Sequence, residues 1–531
     1  MRGDAWDQRS QIGVERIFRP GCRVGIVVAA IVADASGVAV DPSVCHDVVV
    51  IGGGVVGITL ARELSRYDLD VVVLERDAEV GFGVSKANSG IIHSGIHADP
   101  DTVKGRLEWP GNEGWLRLRD DLGFGFAQVG ELLVALSVDE LPTIERLHAQ
   151  GERKGIPGLE RWDAARVRKH QPNLSRDVIA ALWAPTAGVV NPYEAVLLIA
   201  DNAATNGVQI ATEQPVVAID PPDPGDPDTP LMVYTRTRTL ATRYLVNAAG
   251  LQADEVARMA GVGTFTITGR KGEEYLLDKR LAGLVTSVIF PCPTPTSKGT
   301  LVTPTFDGTI MVGPTAEATD DKDDTATTPE GAQAVFAAAK RLVPAISQRD
   351  VIAEFAGVRA VADTDDFILG ATQLRGFINA AGIQSPGLTA APAIAEHLIE
   401  VLRDDGLELR ERADWRPRAE HPVRFSVLST QEQAELAAAQ PDFAQLVCRC
   451  ELVTEAEVVD AIDRGARTLD GVKFRTRAGM GRCQGGFCTW RCLELLAERR
   501  GIPITEVTKR GGASWIVRDR TDAQAAPAGG S

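Results

Sequence analysis

Four cysteines close to the C-terminus carry the most specific chemistry in this chain: Cys448 and Cys450 in VCRCEL, then Cys483 and Cys488 in RCQGGFCTW. Their spacing is C-x-C, thirty-two residues, C-x4-C. A quartet of thiolates selects soft metals, either Zn²⁺ or an iron–sulfur cluster. Zinc ribbons and knuckles usually separate the cysteines of a pair by two to four residues, so C-x-C is uncommon among them. The surrounding AGMGRCQGGFC is glycine-rich, which lets backbone amides donate to ligating sulfurs and tune a cluster's potential. Cys492 falls one helical turn beyond Cys488 and reads as a packed thiol. Cys22, Cys45 and Cys292 are scattered and carry no assignment.

A second constellation opens the first half. Gly52, Gly54 and Gly57 form G-x-G-x-x-G, and Glu75 follows about twenty residues on. The glycines permit a tight turn and close backbone approach to a pyrophosphate, which a helix N-terminus stabilises. Glu75 is placed to accept hydrogen bonds from an adenosine ribose. This motif does not separate FAD from NAD. The segment SKANSGIIHSGIHADPDTVKG (Ser85 to Gly105) does, because a Gly/Ser-rich loop beginning ten residues after the acidic strand end fits FAD enzymes. Ser85, Asn88, Ser89 and Gly90 are expected to line that cofactor.

Oxidising a secondary alcohol with a flavin requires a base for the hydroxyl proton and a cationic clamp for an anionic substrate. His93, flanked by small residues where it leaves the loop, is the base candidate; the alternative is a histidine that only hydrogen-bonds backbone. His97 is a weaker candidate for the same task. Arg359 in GVRAV suits a bidentate clamp on phosphate or carboxylate, against a surface ion pair with Asp363 or Asp365. Arg270 and Lys271 are further cations, with solvated turn residues as the plain reading.

The elements that must position these groups are legible in outline. HDVVVIGG, VVGITLARELSR and DVVVLER read as strand, helix and strand of one βαβ unit. GELLVAL (Gly130 to Leu136) and Val216 to Asp220 read as strands, and DPPDPGDPDTP (Asp220 to Pro230) as a solvated hairpin tip. YLVNAAG and GFINAAG are buried strands that end in small residues at Gly250 and Gly382, delivering the chain to a cofactor at the sheet's carboxyl edge. GIQSPGLT then brings Ser385, Gly387 and a helix N-terminus to the flavin, with Pro392 in the helix's first turn, where proline is tolerated. TEAEVVDAI opens with the capping-box pattern Thr454 to Glu457.

The net charge of −16 argues against nucleic acid as the main partner, and only 5% of residues are aromatic, too few for base-stacking platforms. Eight cysteines, four of them in one compact pattern, do not resemble a secreted disulfide framework, so a reducing cytoplasm is expected. Arg16, Arg19 and Arg23 before VGIVVAAIVADAS resemble a signal peptide faintly, but an apolar run of about ten residues is short for a membrane span. Any membrane contact is expected through partners.

These motifs together resemble the glycine-oxidase/D-amino-acid-oxidase superfamily of flavoproteins. NSGIIHSGI, GELLVAL, GRKGEEYLLDK, SKGTLVTPTFDGTIMVGPTA, EFAGVRA and GIQSPGLTAAPAIA place the likeness in the branch of glycerol-3-phosphate dehydrogenases and oxidases and L-2-hydroxyglutarate dehydrogenases. GEEYLLDK departs from the family's more frequent GEYLLLDK and leaves the aim of Glu273 and Glu274 open. The segment from Leu446 resembles the bacterioferritin-associated-ferredoxin-like [2Fe-2S] domain, with all four ligand positions present. Joined to it, the first half is most similar to the catalytic subunit of anaerobic glycerol-3-phosphate dehydrogenases.

The resemblance implies an α/β fold: a Rossmann-like FAD-binding domain, an interleaved α+β substrate domain and a small, mainly α-helical cysteine domain. The expected boundaries are 45–405 for the flavoprotein, 406–440 for a linker and 441–518 for the cysteine domain, with 1–44 and 519–531 disordered. It adds Lys298 as a second cation beside the substrate, and makes Cys448, Cys450, Cys483 and Cys488 ligands of a [2Fe-2S] cluster. The expected reaction is hydride removal from sn-glycerol 3-phosphate, with electrons leaving singly through the cluster to an acceptor protein or quinone-reducing subunit. A 2-hydroxy acid substrate, or an electron-transfer subunit without catalysis, are the alternatives. Arg449, Arg475, Arg477 and Arg482 are expected to dock an acidic redox partner or to balance the cluster's charge.

Overall fold

The computed structural model describes residues 45–223, 229–293, 299–418 and 421–519. The expected N-terminal extension, the 224–228 tip of the proline-rich insertion, Lys298 and the tail from 520 lie outside the described residues.

The strand Cys45–Ile51 pairs in parallel with Val71–Leu74 on one side and Thr239–Asn247 on the other; Gln209–Ala211 and Phe377–Ala381 extend the parallel run. Val48, Val49 and Val50 are fully buried, as strands covered on both faces must be. The hairpin of Val216–Asp220 and Leu231–Thr235 joins antiparallel at the edge. On one face pack the helices Val55–Leu64, Pro192–Thr205 and Gly387–Asp404. The helix Ala253–Met259 covers the other.

A second, mostly antiparallel sheet forms the interleaved layer. Its spine is the long strand Ile267–Leu277, paired along its whole length with Val351–Ala362 so that Arg270 faces Arg359 and Gly272 faces Gly357. Glu131–Ala135 and its neighbours continue this sheet. Val351–Ala362 thus crosses from the substrate layer back to the cofactor layer, which brings Arg359 to their seam.

Pro392 corrects one expectation. The helix starts at Gly387, so Pro392 lies inside it rather than in its first turn. An interior proline leaves the carbonyl four residues back without a helical donor. That carbonyl is Leu388 O, and the indole Nε1 of fully buried Trp115 donates to it at 2.8 Å. Trp115 belongs to the helix Val103–Leu122, which crosses so closely that a Cβ on Gly111 would lie 2.2 Å from Thr389 O.

The segment expected to be a linker is largely built into the fold. Leu407 is buried, Glu411 bridges to Tyr67, and Arg62 donates to Pro417 O. Ser429 and Glu432 form a capping box that opens the helix Thr430–Ala439. The cysteine region follows with a two-stranded ladder and the helices Glu455–Asp463, Leu469–Thr476 and Thr489–Arg500 around a core of its own. Thr454 and Glu457 make the expected capping box.

Candidate active site and cysteine centre

The first strand ends at Ile51 and the helix begins at Val55, with the glycines in the turn between. Gly52 holds φ +109°, and a Cβ there would sit 2.4 Å from Ala248 O; one on Gly57 would sit 2.0 Å from Gly52 O. Both positions therefore require glycine, the first for the turn and the second for close strand–helix packing. Gly54 is the N-cap residue, and Ser85 Oγ accepts from Val55 N at 2.8 Å, tying the second loop to the helix N-terminus. Glu75 accepts from Gly53 N and Asp77 N. Burial pushes its carboxyl up to about 7.

One continuous cavity of about 1050 Å³ runs from this turn to the seam of the two layers. Gly52, Gly54, Glu75, Ser85, Asn88, Ser89, His93, Gly250, Arg359, Ser385 and Gly387 line it. The remaining three cofactor candidates do not. Gly57 packs helix on strand, Gly90 takes φ +64° where a Cβ would meet Val190 O, and Gly382 takes φ +66° against Ala362. They shape the backbone behind the wall. Asn88 shapes its loop too, donating to Val84 O and Ser85 O and accepting from Gly90 N.

His93 is buried on the cavity wall. Its backbone N donates to Thr389 Oγ1, and Asn112 Nδ2 donates to its carbonyl, so two helices fix the segment. His97 shares the cavity, its ring edge-on to His93 at 5.1 Å and tilted over Phe290 at 4.5 Å. Behind it, His97 Nε2 lies 3.0 Å from Oε1 of the fully buried Glu131, which also accepts from Ser94 Oγ. Glu131 sits in the expected GELLVAL strand, but nothing in its local pattern marked it as a partner for His97.

Arg359 is no surface ion pair with Asp363 or Asp365. Its guanidinium lies over Gly272, makes long contacts of 3.3 and 3.4 Å to Thr315 O, and turns into the cavity. Burial lowers its pKa and Glu274 opposes that shift. Arginine stays charged through such shifts. Of the other cations, Arg270 lines the cavity, whereas Lys271 points away and pairs with Asp324 at 2.8 Å. The shifted GEEYLLDK register resolves as well. Glu273 points to the opposite face and binds Thr328 and Tyr275, while Glu274 faces the cavity and accepts from Ser89 Oγ at 2.7 Å.

The four cysteines converge although two loops bring them. Cys448 and Cys450 come from the short ladder and its turn, Cys483 and Cys488 from the glycine-rich loop capping the helix Thr489–Arg500. Their thiols meet in pairs, Cys448 with Cys488 and Cys450 with Cys483. Backbone amides of Gly485, Gly486 and Phe487 aim at the Cys483 sulfur, and those of Gly479 and Glu451 at Cys448. Such a gathered quartet can supply two thiolates to each of two irons. Cys492 is buried against Cys488.

The arginines expected around the cluster have other uses. Arg475 pairs with Glu79 and Asp201, and Arg477 with Asp307 and Glu451, all four carboxylates largely buried. Arg482 pairs with Asp278. The pairs with Glu79, Asp201, Asp307 and Asp278 join the cysteine region to the flavin-binding part, helped by Phe474 packed against Phe82 and Tyr193. Arg449 alone of the four is exposed without an ion pair among the described residues. On the outer side Cys450 is exposed, as are Phe487 and Trp490.

The model of the FAD dependent oxidoreductase family matches residues 47–401. The chain belongs to that family. The BFD-like [2Fe-2S] binding domain matches residues 446–498 of the same flavoprotein. A glycerol 3-phosphate dehydrogenase of Caloramator mitchellensis is 41% identical over 481 residues, 90% of this chain and 99% of its own. A glycerol 3-phosphate oxidase of Mycoplasma genitalium is 31% identical and spans 70% of this chain and 97% of its own. The solved L-alpha-glycerophosphate oxidase of Mycoplasma pneumoniae, with FAD bound, superposes with a TM-score of 0.68 at 30% identity, covering 72% of this flavoprotein and all of its own chain. The human L-2-hydroxyglutarate dehydrogenase is 29% identical over 51% of this chain and 60% of its own. The glycine turn, Glu75 on the cavity wall and the long cavity fit FAD, and the gathered thiols fit a two-iron cluster.

Proposed function

We propose that this flavoprotein is a dehydrogenase of sn-glycerol 3-phosphate that passes the electrons to a tethered [2Fe-2S] cluster. The observation that carries the reading is the convergence of His93 and Arg359 on the cavity that begins at the dinucleotide turn. The likeness to a glycerol 3-phosphate dehydrogenase over both halves of the chain supports it.

In this reading Arg359 anchors the phosphate with its planar fork, and Lys298 adds a second positive charge. His93 removes the proton from the C2 hydroxyl, and Thr389 and Asn112 hold its backbone in place for that transfer. Gly52, Gly54, Glu75 and Ser85 hold the cofactor's dinucleotide half, and Ser385 and Gly387 line the same cavity. FAD, when bound, supplies the acceptor for the substrate's hydride. Cys448, Cys450, Cys483 and Cys488 hold the cluster that carries single electrons onward. The exposed edge around Cys450 and Phe487 is where a quinone-linked acceptor would take them.

Anaerobic bleaching of the flavin absorbance, tried with glycerol 3-phosphate against a panel of 2-hydroxy acids, tests the substrate. Rapid bleaching by glycerol 3-phosphate at micromolar to millimolar concentration is expected. Bleaching by L-2-hydroxyglutarate alone would overturn the assignment.

A further inference from the structure

The cavity holds one buried acid that neither the dinucleotide fingerprint nor the anion clamp accounts for. Glu274 is only 3% exposed and lies on the long strand Ile267–Leu277. Residues two apart on a strand share a face, so Gly272 and Glu274 look into the cavity together. Arg359 arches over Gly272, where an added Cβ would sit 2.5 Å from its Nη2. The clamp and the acid are therefore neighbours on one wall.

The two oxygens of Glu274 differ. Oε1 accepts from Ser89 Oγ at 2.7 Å, whereas Oε2 is buried with no hydrogen-bond partner among the described residues. A buried acceptor left unmet is costly, and a hydrogen bond to a charged acceptor is worth more than a neutral one. Burial raises the carboxyl to about 7, and Arg359 is the cation that offsets this. An open carboxylate oxygen in the cavity that holds the phosphate clamp asks for a ligand that carries a hydroxyl donor as well as its anion.

We propose that Glu274 selects the substrate: its open oxygen accepts a hydrogen bond from the terminal hydroxyl, and its charge disfavours a carboxylate at the same place. This rests on the glycerol 3-phosphate reading above. That substrate ends in an anion on one side and a primary hydroxyl on the other. L-2-hydroxyglutarate ends in a carboxylate on both, and the second one would meet Glu274.

Two matched pairs of ligands test the proposal on the FAD-loaded enzyme and on its Glu274→Ala and Glu274→Gln variants. sn-Glycerol 3-phosphate is compared as a substrate with propane-1,2-diol 1-phosphate, which lacks only the terminal hydroxyl. Dihydroxyacetone phosphate and hydroxyacetone phosphate are compared by titration of the oxidised flavin spectrum, a binding readout free of turnover. In the parent enzyme, loss of the hydroxyl lowers kcat/KM and ketone affinity by about tenfold to a hundredfold. In Glu274→Ala the same loss costs under about threefold, and Glu274→Gln, which keeps a carbonyl acceptor, falls between. Bleaching by L-2-hydroxyglutarate rises in both variants.

An equal cost of removing the hydroxyl in parent and variants overturns the proposal and leaves the glycerol 3-phosphate reading intact. So does loss of bound FAD from Glu274→Ala, which would put the open oxygen on the cofactor. A parent enzyme that oxidises L-2-hydroxyglutarate and ignores glycerol 3-phosphate overturns the function first and this inference with it.

Discussion

Trp115 completes a helix that it does not belong to: its indole N–H reaches Leu388 O, the carbonyl that Pro392 leaves without a helical donor. Leu388 and Thr389 line the cavity, so this one bond secures the turn that carries the cofactor wall. Trp115→Phe keeps most of the ring and removes the donor. The expected cost is about 1–3 kcal/mol, read from urea unfolding of the loaded protein. An unchanged midpoint would mean that Leu388 O finds another partner.

Arg475 is buried between Glu79 and Asp201 and ties the cysteine region to the flavin half. Removing one member of a buried pair leaves charge uncompensated, at about 3–5 kcal/mol. Arg475→Ala is expected to loosen the docking without touching the cavity. Limited proteolysis should then release the C-terminal region, while substrate bleaches the flavin at the parent rate and cluster reduction slows. A protease-resistant variant with parent cluster kinetics would show that Phe474 and Arg477 suffice.

The pH dependence of cofactor binding follows from Glu75. Burial raises its carboxyl from an ordinary 4.5 to about 7. In the flavin-free protein the stability it lends is full below pH 4.5 and is lost as pH rises toward 7, because the fold holds the neutral form. Ribose hydroxyls donate best to the ionised form, so binding FAD must expel that proton below pH 7. The FAD dissociation constant should fall up to about tenfold per pH unit between pH 5 and 7 and level off above. Glu75→Gln should flatten the profile; a flat profile in the parent would put the ribose elsewhere.

Arg359 and His93 separate binding from chemistry. Arg359→Lys keeps the charge and loses the fork, so KM should rise about tenfold or more, with kcat lowered where the anchor orients the hydride. His93→Asn should lower the rate of flavin bleaching about 10²–10⁴-fold with little change in product affinity. Parent kinetics in either variant would remove that residue from the reaction.

Much of this was readable in the chain because it depends on local pattern. The Gly52–Gly54–Gly57 turn, the buried valine strands, the Thr454–Glu457 capping box and the cysteine spacing are each set within a few residues. Long-range facts were not readable. Arg475 and Arg477 looked like a basic rim around a cluster until Glu79, Asp201 and Asp307 met them from the other half. Glu131 met His97 through a strand pairing that no local pattern shows. Gly90 and Gly382, expected on the cofactor's wall, lie behind it, where positive φ and close packing against Val190 O and Ala362 call for glycine. Proline-rich text around Pro417 suggested a free linker, yet its carbonyls receive Arg62, Asn202 and Asn206.

In the proposed reaction, electrons taken from the substrate reach the cysteine cluster within this one chain. Anaerobic stopped-flow mixing of the fully loaded protein with glycerol 3-phosphate follows that transfer. Flavin bleaching followed by bleaching of the cluster shoulder above about 500 nm, with two irons per chain and no zinc, is the predicted result. A reduced flavin beside a cluster that stays oxidised, or zinc in place of iron, would contradict it.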